Sequence, residues 1–170
     1  MTTARTIDTP PFATNLHTDT EQKTGIFFLD FAEEFDSVGY EGVSRPILQA
    51  DGKILVATNH GGNCIISRID TEGKLDTSFG ENGIAVINFG DHLIKSDIQV
   101  TNQGAIFVTA QSTKGYWDTT YVSKLNSTGE IDTSFSNNGI FEKTLRYGEN
   151  YTHSVIGDDG SIILIGKFTG

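Results

Sequence analysis

The triplet Asp-Thr-Ser occurs twice in the chain, at Asp76-Thr77-Ser78 and Asp132-Thr133-Ser134. Each copy sets a carboxylate beside two hydroxyls, a grouping that nucleophilic chemistry can use. An active site is needed once, however, and this triplet returns inside a longer repeated stretch. Recurrence therefore points to scaffolding, in which each aspartate accepts backbone N–H groups two or three residues on and holds a non-helical turn. The four histidines, His17, His60, His92 and His153, lack metal-ligand spacing such as H-x-x-x-H. Asp70 to Asp76 and Asp158 to Gly160 lack the alternating oxygen ligands and closing glutamate of a calcium loop. No G-x-S-x-G, G-x-x-x-x-G-K or C-x-x-C motif is present. No catalytic residue, metal site or cofactor is thus expected from motifs.

Two other groupings carry possible chemistry. Asp97 and His153 occupy equivalent positions in successive repeats and form a candidate polar lining for a channel, the basis for a hydrolase or lyase alternative. Tyr116, Trp117 and Asp118 sit where one repeat is longer than the one before it. On an exposed loop they would stack a sugar ring or anchor a protein partner. Capping of a sheet end is the structural alternative.

The elements that must position these residues follow from the repeat. Residues 65 to 84, IISRIDTEGKLDTSFGENGI, align without gaps on 121 to 140, YVSKLNSTGEIDTSFSNNGI, at an offset of 56. The same offset carries Gln103 to Val108 onto Asp159 to Leu164, and Asp51 to Val56 matches the Gly104 segment at an offset of 52. Gly25-Ile-Phe-Phe echoes Gly83-Ile-Ala-Val, with an insertion falling within 29 to 50. Each unit reads as four short strands, expected at 45 to 50, 53 to 58, 63 to 69 and 83 to 88 in the best copy. Ile54 to Ala57 and Ile162 to Ile165 are apolar on both faces, as inner strands between stacked sheets require. Cys64 to Ile69 and Tyr121 to Leu125 are more mixed and are placed nearer the periphery. Asp51-Gly52, Glu72-Gly73, Thr128-Gly129 and Asp159-Gly160 are the expected tight turns.

The repeated loop then has a structural reading. Phe79 and Phe135 are expected to tuck under the adjoining sheet, each ring contributing about 1.5–3 kcal/mol by burial. Asn82-Gly83 and Asn138-Gly139 turn the chain back into a strand.

Asp51-Gly-Lys-Ile-Leu-Val56 followed by Ile66-Ser-Arg-Ile-Asp-Thr-Glu-Gly-Lys-Leu-Asp-Thr-Ser-Phe-Gly80 resembles the delta-60 repeat of bacterial proteins. The resemblance covers residues 51 to 90, continues through 101 to 167 and is loose over 25 to 50. Gln103, Ala105 and Ser136 depart from the pattern. It implies an all-β protein of four-stranded antiparallel β-propeller blades, with residues 25–170 forming the repeats, and it brings no catalytic residues.

Physics adds an expectation about assembly. A sheet apolar on both faces must stack on copies of itself, and a closed propeller takes roughly 4–8 blades. Dividing 170 residues by a 56-residue repeat leaves about three. A homo-oligomeric ring is therefore expected, a dimer of six blades being the simplest. Residues 1–24 are read as an N-terminal arm. Its Ala4-Arg-Thr-Ile-Asp-Thr9 echoes Ile66-Ser-Arg-Ile-Asp-Thr71 and would complete a blade shared between subunits.

Composition narrows the partners. Twelve Lys and Arg against 22 Asp and Glu give a formal charge of -10, which repels phosphate backbones and anionic lipid, so neither nucleic acid nor membrane is expected. A protein or glycan ligand is. The one cysteine, Cys64, lies in an apolar run and is read as a buried structural thiol. With no apolar signal segment and no run of ~20 apolar residues, cytoplasmic residence is the default expectation, and export by a route that uses no such signal is the alternative.

Overall fold

The computed structural model describes residues 42–146, 150–157 and 159–167, and all of its elements fall in the compact unit Gly39–Gly170. The expected arm at 1–24, its echo of the later repeat and the Gly25-Ile-Phe-Phe segment lie outside the described residues.

Ten strands run in chain order: β1 (Ile47–Leu48), β2 (Ile54–His60), β3 (Asn63–Ile69), β4 (Ile84–Asn88), β5 (Leu93–Val100), β6 (Ile106–Lys114), β7 (Trp117–Leu125), β8 (Ile140–Arg146), β9 (Asn150–Ile156) and β10 (Ile162–Lys167). They pair antiparallel with their chain neighbours into four-stranded sheets β1-β2-β3-β4 and β5-β6-β7-β8 and a two-stranded sheet β9-β10. The protein is all-β, with consecutive four-stranded antiparallel sheets of the kind that form propeller blades. Among the described residues no helix is long and apolar enough to cross a membrane.

Register explains which residues meet. Ala57 pairs with Ile66 and Ile66 with Ala85, so these side chains share one face of the first sheet. Ile98 pairs with Val108 and Ala110 with Tyr121 on the facing side of the second. The two faces close on one core that includes Leu55, Cys64, Ile66, Ile87, Ile98, Ile106, Val108 and Leu125. Burial pushes the Cys64 thiol up to about 12, against the lowering effect of the neighbouring Ser96 hydroxyl. This is an inert side chain within the sheet stack.

Two expectations about strands need correction. Every residue from Cys64 to Ile69 is buried, and so are Tyr121, Val122, Ser123 and Leu125, so β3 and β7 are inner strands, flanked by β2 and β4 and by β6 and β8. The strand at Ile162 to Ile165 is not apolar-covered on both faces: Ile163 is 59% and Ile165 50% exposed, since one face of β9-β10 packs toward the second sheet and the other is open.

One turn design serves five places. In the segments 49–53, 70–74, 101–105, 126–130 and 157–161 the first N–H donates to the fifth carbonyl, and the fourth N–H to the first carbonyl. The fourth residue is always glycine, with φ between 81° and 88°, a region that L side chains avoid. Asp70 Oδ1 also accepts from the N–H groups of Glu72 and Lys74, both at 2.9 Å. Where the pattern departs at Gln103 and Ala105 the turn survives, because Thr101 Oγ1 accepts from Ala105 N at 3.1 Å instead.

Candidate functional site

The repeated loops lie at corresponding ends of the two four-stranded sheets. Asp76 Oδ2 takes Arg68 Nε at 2.7 Å and Lys53 Nζ at 2.8 Å, while its Oδ1 accepts from Ser78 Oγ at 2.6 Å and Ser78 N at 3.1 Å. Burial raises the Asp76 carboxyl, but the bonds from Lys53 and Ser78 and the charge of Arg68 outweigh it and hold the group well below the carboxylate range. Arg68 continues outward, donating to Ser127 O at 2.6 Å and lying over the Phe79 ring at 4.6 Å. Phe79 is fully buried, and Gly80 N donates to Thr128 O at 2.7 Å. The loop of the first sheet is thus seated on the 126–130 turn of the second.

In the second copy Asp132 meets one cation, Lys124 at 2.8 Å, together with the Ser134 hydroxyl and N–H. Lys124 and Ser134 hold its carboxyl down to about 2. Phe135 is half-buried, edge-on to Phe107 at 5.9 Å. Both loops end in a two-residue turn with positive φ at Asn82 (54°) and Gly83 (97°), and at Asn138 (50°) and Gly139 (86°). These carboxylates are consumed in turn-building and hold no open geometry for a substrate.

The stretch Gln111 to Asp118, expected as a loop, is mostly strand. Gln111 to Lys114 extend β6, Trp117 and Asp118 open β7, and only Gly115 and Tyr116 turn between them. The polar Ser and Thr side chains here mimic a loop in composition, yet cross-strand pairing such as Ser112 with Thr119 satisfies their backbone. Tyr116 is 84% and Trp117 54% exposed, whereas Asp118 is buried and accepts from Thr113 Oγ1 at 2.7 Å. Two of the three residues therefore face solvent together and the third braces the hairpin.

Asp97 and His153 do come together. Both line a cavity of about 230 Å³ whose wall takes residues from the segment before β1 and from β5, β6, β7, β9 and β10. A third residue joins them that the sequence reading passed over, Arg45. Ile47 pairs with Leu55, Gln99 with Phe107 and Val155 with Ile163, which are equivalent pairs in the repeat. Arg45, Asp97 and His153 each precede the first member of its pair by two residues, so one register position supplies all three. The offset of 52 that joins Asp51 to Gln103 also joins Arg45 to Asp97, and that signal could have found it.

Glutamines fix the cavity wall. Gln99 Nε2 donates to Ser154 Oγ at 2.6 Å and to Ser154 O, and its Oε1 accepts from Ile156 N at 3.1 Å. Gln111 Nε2 donates to Tyr151 O. These bonds clamp β9 to the second sheet and so hold His153 alongside Asp97. Glutamine on a strand reads as solvent-facing, and no sequence signal marked either one.

The fold is thus that of consecutive antiparallel four-stranded β-sheets stacked through apolar faces. Residues 49–79, from the turn before β2 to Phe79, match the family model described as a domain of unknown function (DUF5122) beta-propeller. That match supports a β-propeller-like repeat family. No curated protein and no solved structure matches the chain.

Proposed function

We propose that the chain is a non-catalytic β-propeller binding module of the delta-60 type, which joins further copies of itself in a ring and presents an aromatic hairpin tip to a glycan or protein. The observation that carries this reading is the exposure of Tyr116, on the two-residue turn, and of its chain neighbour Trp117, the first residue of β7, at the tip of long paired strands. Aromatic rings fixed in this way give contact area at little conformational cost. Trp117 is the one tryptophan in the chain, so its fluorescence reports directly on the tip. Titration with a glycan panel should shift that emission saturably for a ligand, and Tyr116→Ala should abolish the shift. An emission unchanged by every glycan, together with no partner captured by the native chain but lost to the Tyr116→Ala variant, removes the reading.

Support for assembly comes from Val155, Ile163 and Ile165. They are at least half exposed on the sheet face whose equivalents, Leu55 and Phe107, are buried in the preceding units. Light scattering tests it: a mass near twice 18.5 kDa agrees with the dimer, and a monomer rejects it.

The cavity favours a second reading, a hydrolase or lyase in which Asp97 and His153 act on a bound substrate. Turnover of an ester or glycan substrate that disappears in His153→Ala would establish it.

A further inference from the structure

The geometry points to a binding site for a small hydroxylated carboxylate, of the class of uronic and aldonic acids, in the cavity bordered by Arg45, Asp97 and His153. Three observations carry it. The first is charge. The chain bears a formal -10, yet among the described residues the charged groups lining this cavity are Arg45 and Lys95 against one carboxylate, Asp97. Arg45 has no ion-pair partner there, so it offers an anion a cation in a molecule whose overall charge repels one.

The second is the mixture of groups. Arg45 presents the planar fork that suits a carboxylate. Asp97 opposes a doubly charged anion such as phosphate, but accepts hydrogen bonds from neighbouring hydroxyls. Among the described residues neither side chain enters an ion pair or hydrogen bond with the protein. Thr109, Thr120 and Ser154 add hydroxyls to the wall, which match a polyol better than an apolar ring.

The third is size and rigidity. At about 230 Å³ the space falls below the ~300–1,000 Å³ of pockets that take drug-sized ligands, and suits a single sugar ring or a six-carbon acid. Pro46 restricts Arg45 to extended backbone, and the bonds from Gln99 and Gln111 hold β9 in place, so the site is largely formed before a ligand arrives. The inference concerns recognition in the cavity and is independent of what the hairpin tip binds.

Calorimetric titration of the full chain with D-glucuronate and D-gluconate, and with D-glucose and inorganic phosphate for comparison, tests it. Saturable binding of at least one acid is expected, about tenfold or more tighter than either comparison ligand. Arg45→Ala and Asp97→Ala should each weaken it by about tenfold or more, as loss of a charge-assisted hydrogen bond does. Asp97→Asn keeps the shape and serves if the alanine variant does not fold. Lys74→Ala, on an exposed turn outside the cavity wall, should leave binding unchanged. Glucose binding as tightly as the acids, phosphate binding more tightly, indifference to both Arg45→Ala and Asp97→Asn, or no heat with either acid would each overturn the proposal.

Discussion

The two copies of the Asp-Thr-Ser-Phe loop share their sequence and differ in their surroundings. In the first, Phe79 is fully buried beneath Arg68 and against the 126–130 turn of the next sheet. In the second, Phe135 is half-buried. Asp76 has two cations and Asp132 one, because Ala105 stands where the first unit has Lys53. The motif therefore shapes the loop, while the neighbouring sheet supplies its burial. A repeat of this kind is stabilised across its joints as much as within its strands.

The largest contrast should come from the rings. Phe79→Ala is expected to cost about 3–4 kcal/mol in urea unfolding and Phe135→Ala about 1–2 kcal/mol. Equal losses would show that burial by the neighbour adds nothing. Next come the carboxylates. Asp76→Ala leaves Arg68 without its ion-pair partner and should cost about 2–3 kcal/mol, with a smaller loss for Asp132→Ala. Both carboxyls are held below their ordinary value in the folded chain, so each contributes stability that is complete above the unfolded range near pH 4 and lost on acidification. For Asp132 that loss runs from about pH 4 through about 2, and for Asp76 it extends to more acid pH. Stability measured from pH 6 downward should fall more steeply in the parent than in Asp76→Ala.

A glycine sharpens the joint itself. A Cβ at Gly129 would lie 2.8 Å from the Phe79 ring and 3.0 Å from Gly80 N, at a φ of 88°. Gly129→Ala should cost about 2 kcal/mol and raise proteolysis within 76–83, a segment distant in sequence. The smallest effect concerns a departure from the repeat. Ser136 holds φ 48° where Gly80 holds 53°, and its turn is looser: Asn137 N to Ile140 O is 3.3 Å against 2.7 Å for Glu81 N to Ile84 O. At Gly80 an added Cβ would fall 2.1 Å from Ile84 O, which explains the opening. Ser136→Gly should therefore stabilise by about 0.5–1 kcal/mol, read as a higher urea midpoint.

Much of the blade was legible because its signals are local. The strand expected at 63 to 69 is β3, and that at 83 to 88 is β4 but for one residue. The glycine turns stand where the Asp-Gly and Thr-Gly pairs placed them. Local pattern could not tell that Ile163 and Ile165 face outward, since apolar residues look alike whether or not a sheet covers them. Nor could it tell that Gln111 to Lys114 continue a strand, because Ser and Thr serve both turns and ladders. The cavity was half legible: the offset of 56 brought Asp97 to His153, and the six-residue insertion upstream obscured Arg45. Gln99 and Gln111 were silent, as their work lies between sheets.

Those two glutamines grip mainly peptide groups, the carbonyls of Tyr151 and Ser154 and the amide of Ile156. A fastener that reads main chain is indifferent to the identity of the residue lying between its anchor points. The grip on β9 is thus set by the glutamines and the main chain, so an array built on this joint can keep how it is assembled while side chains outside those bonds vary.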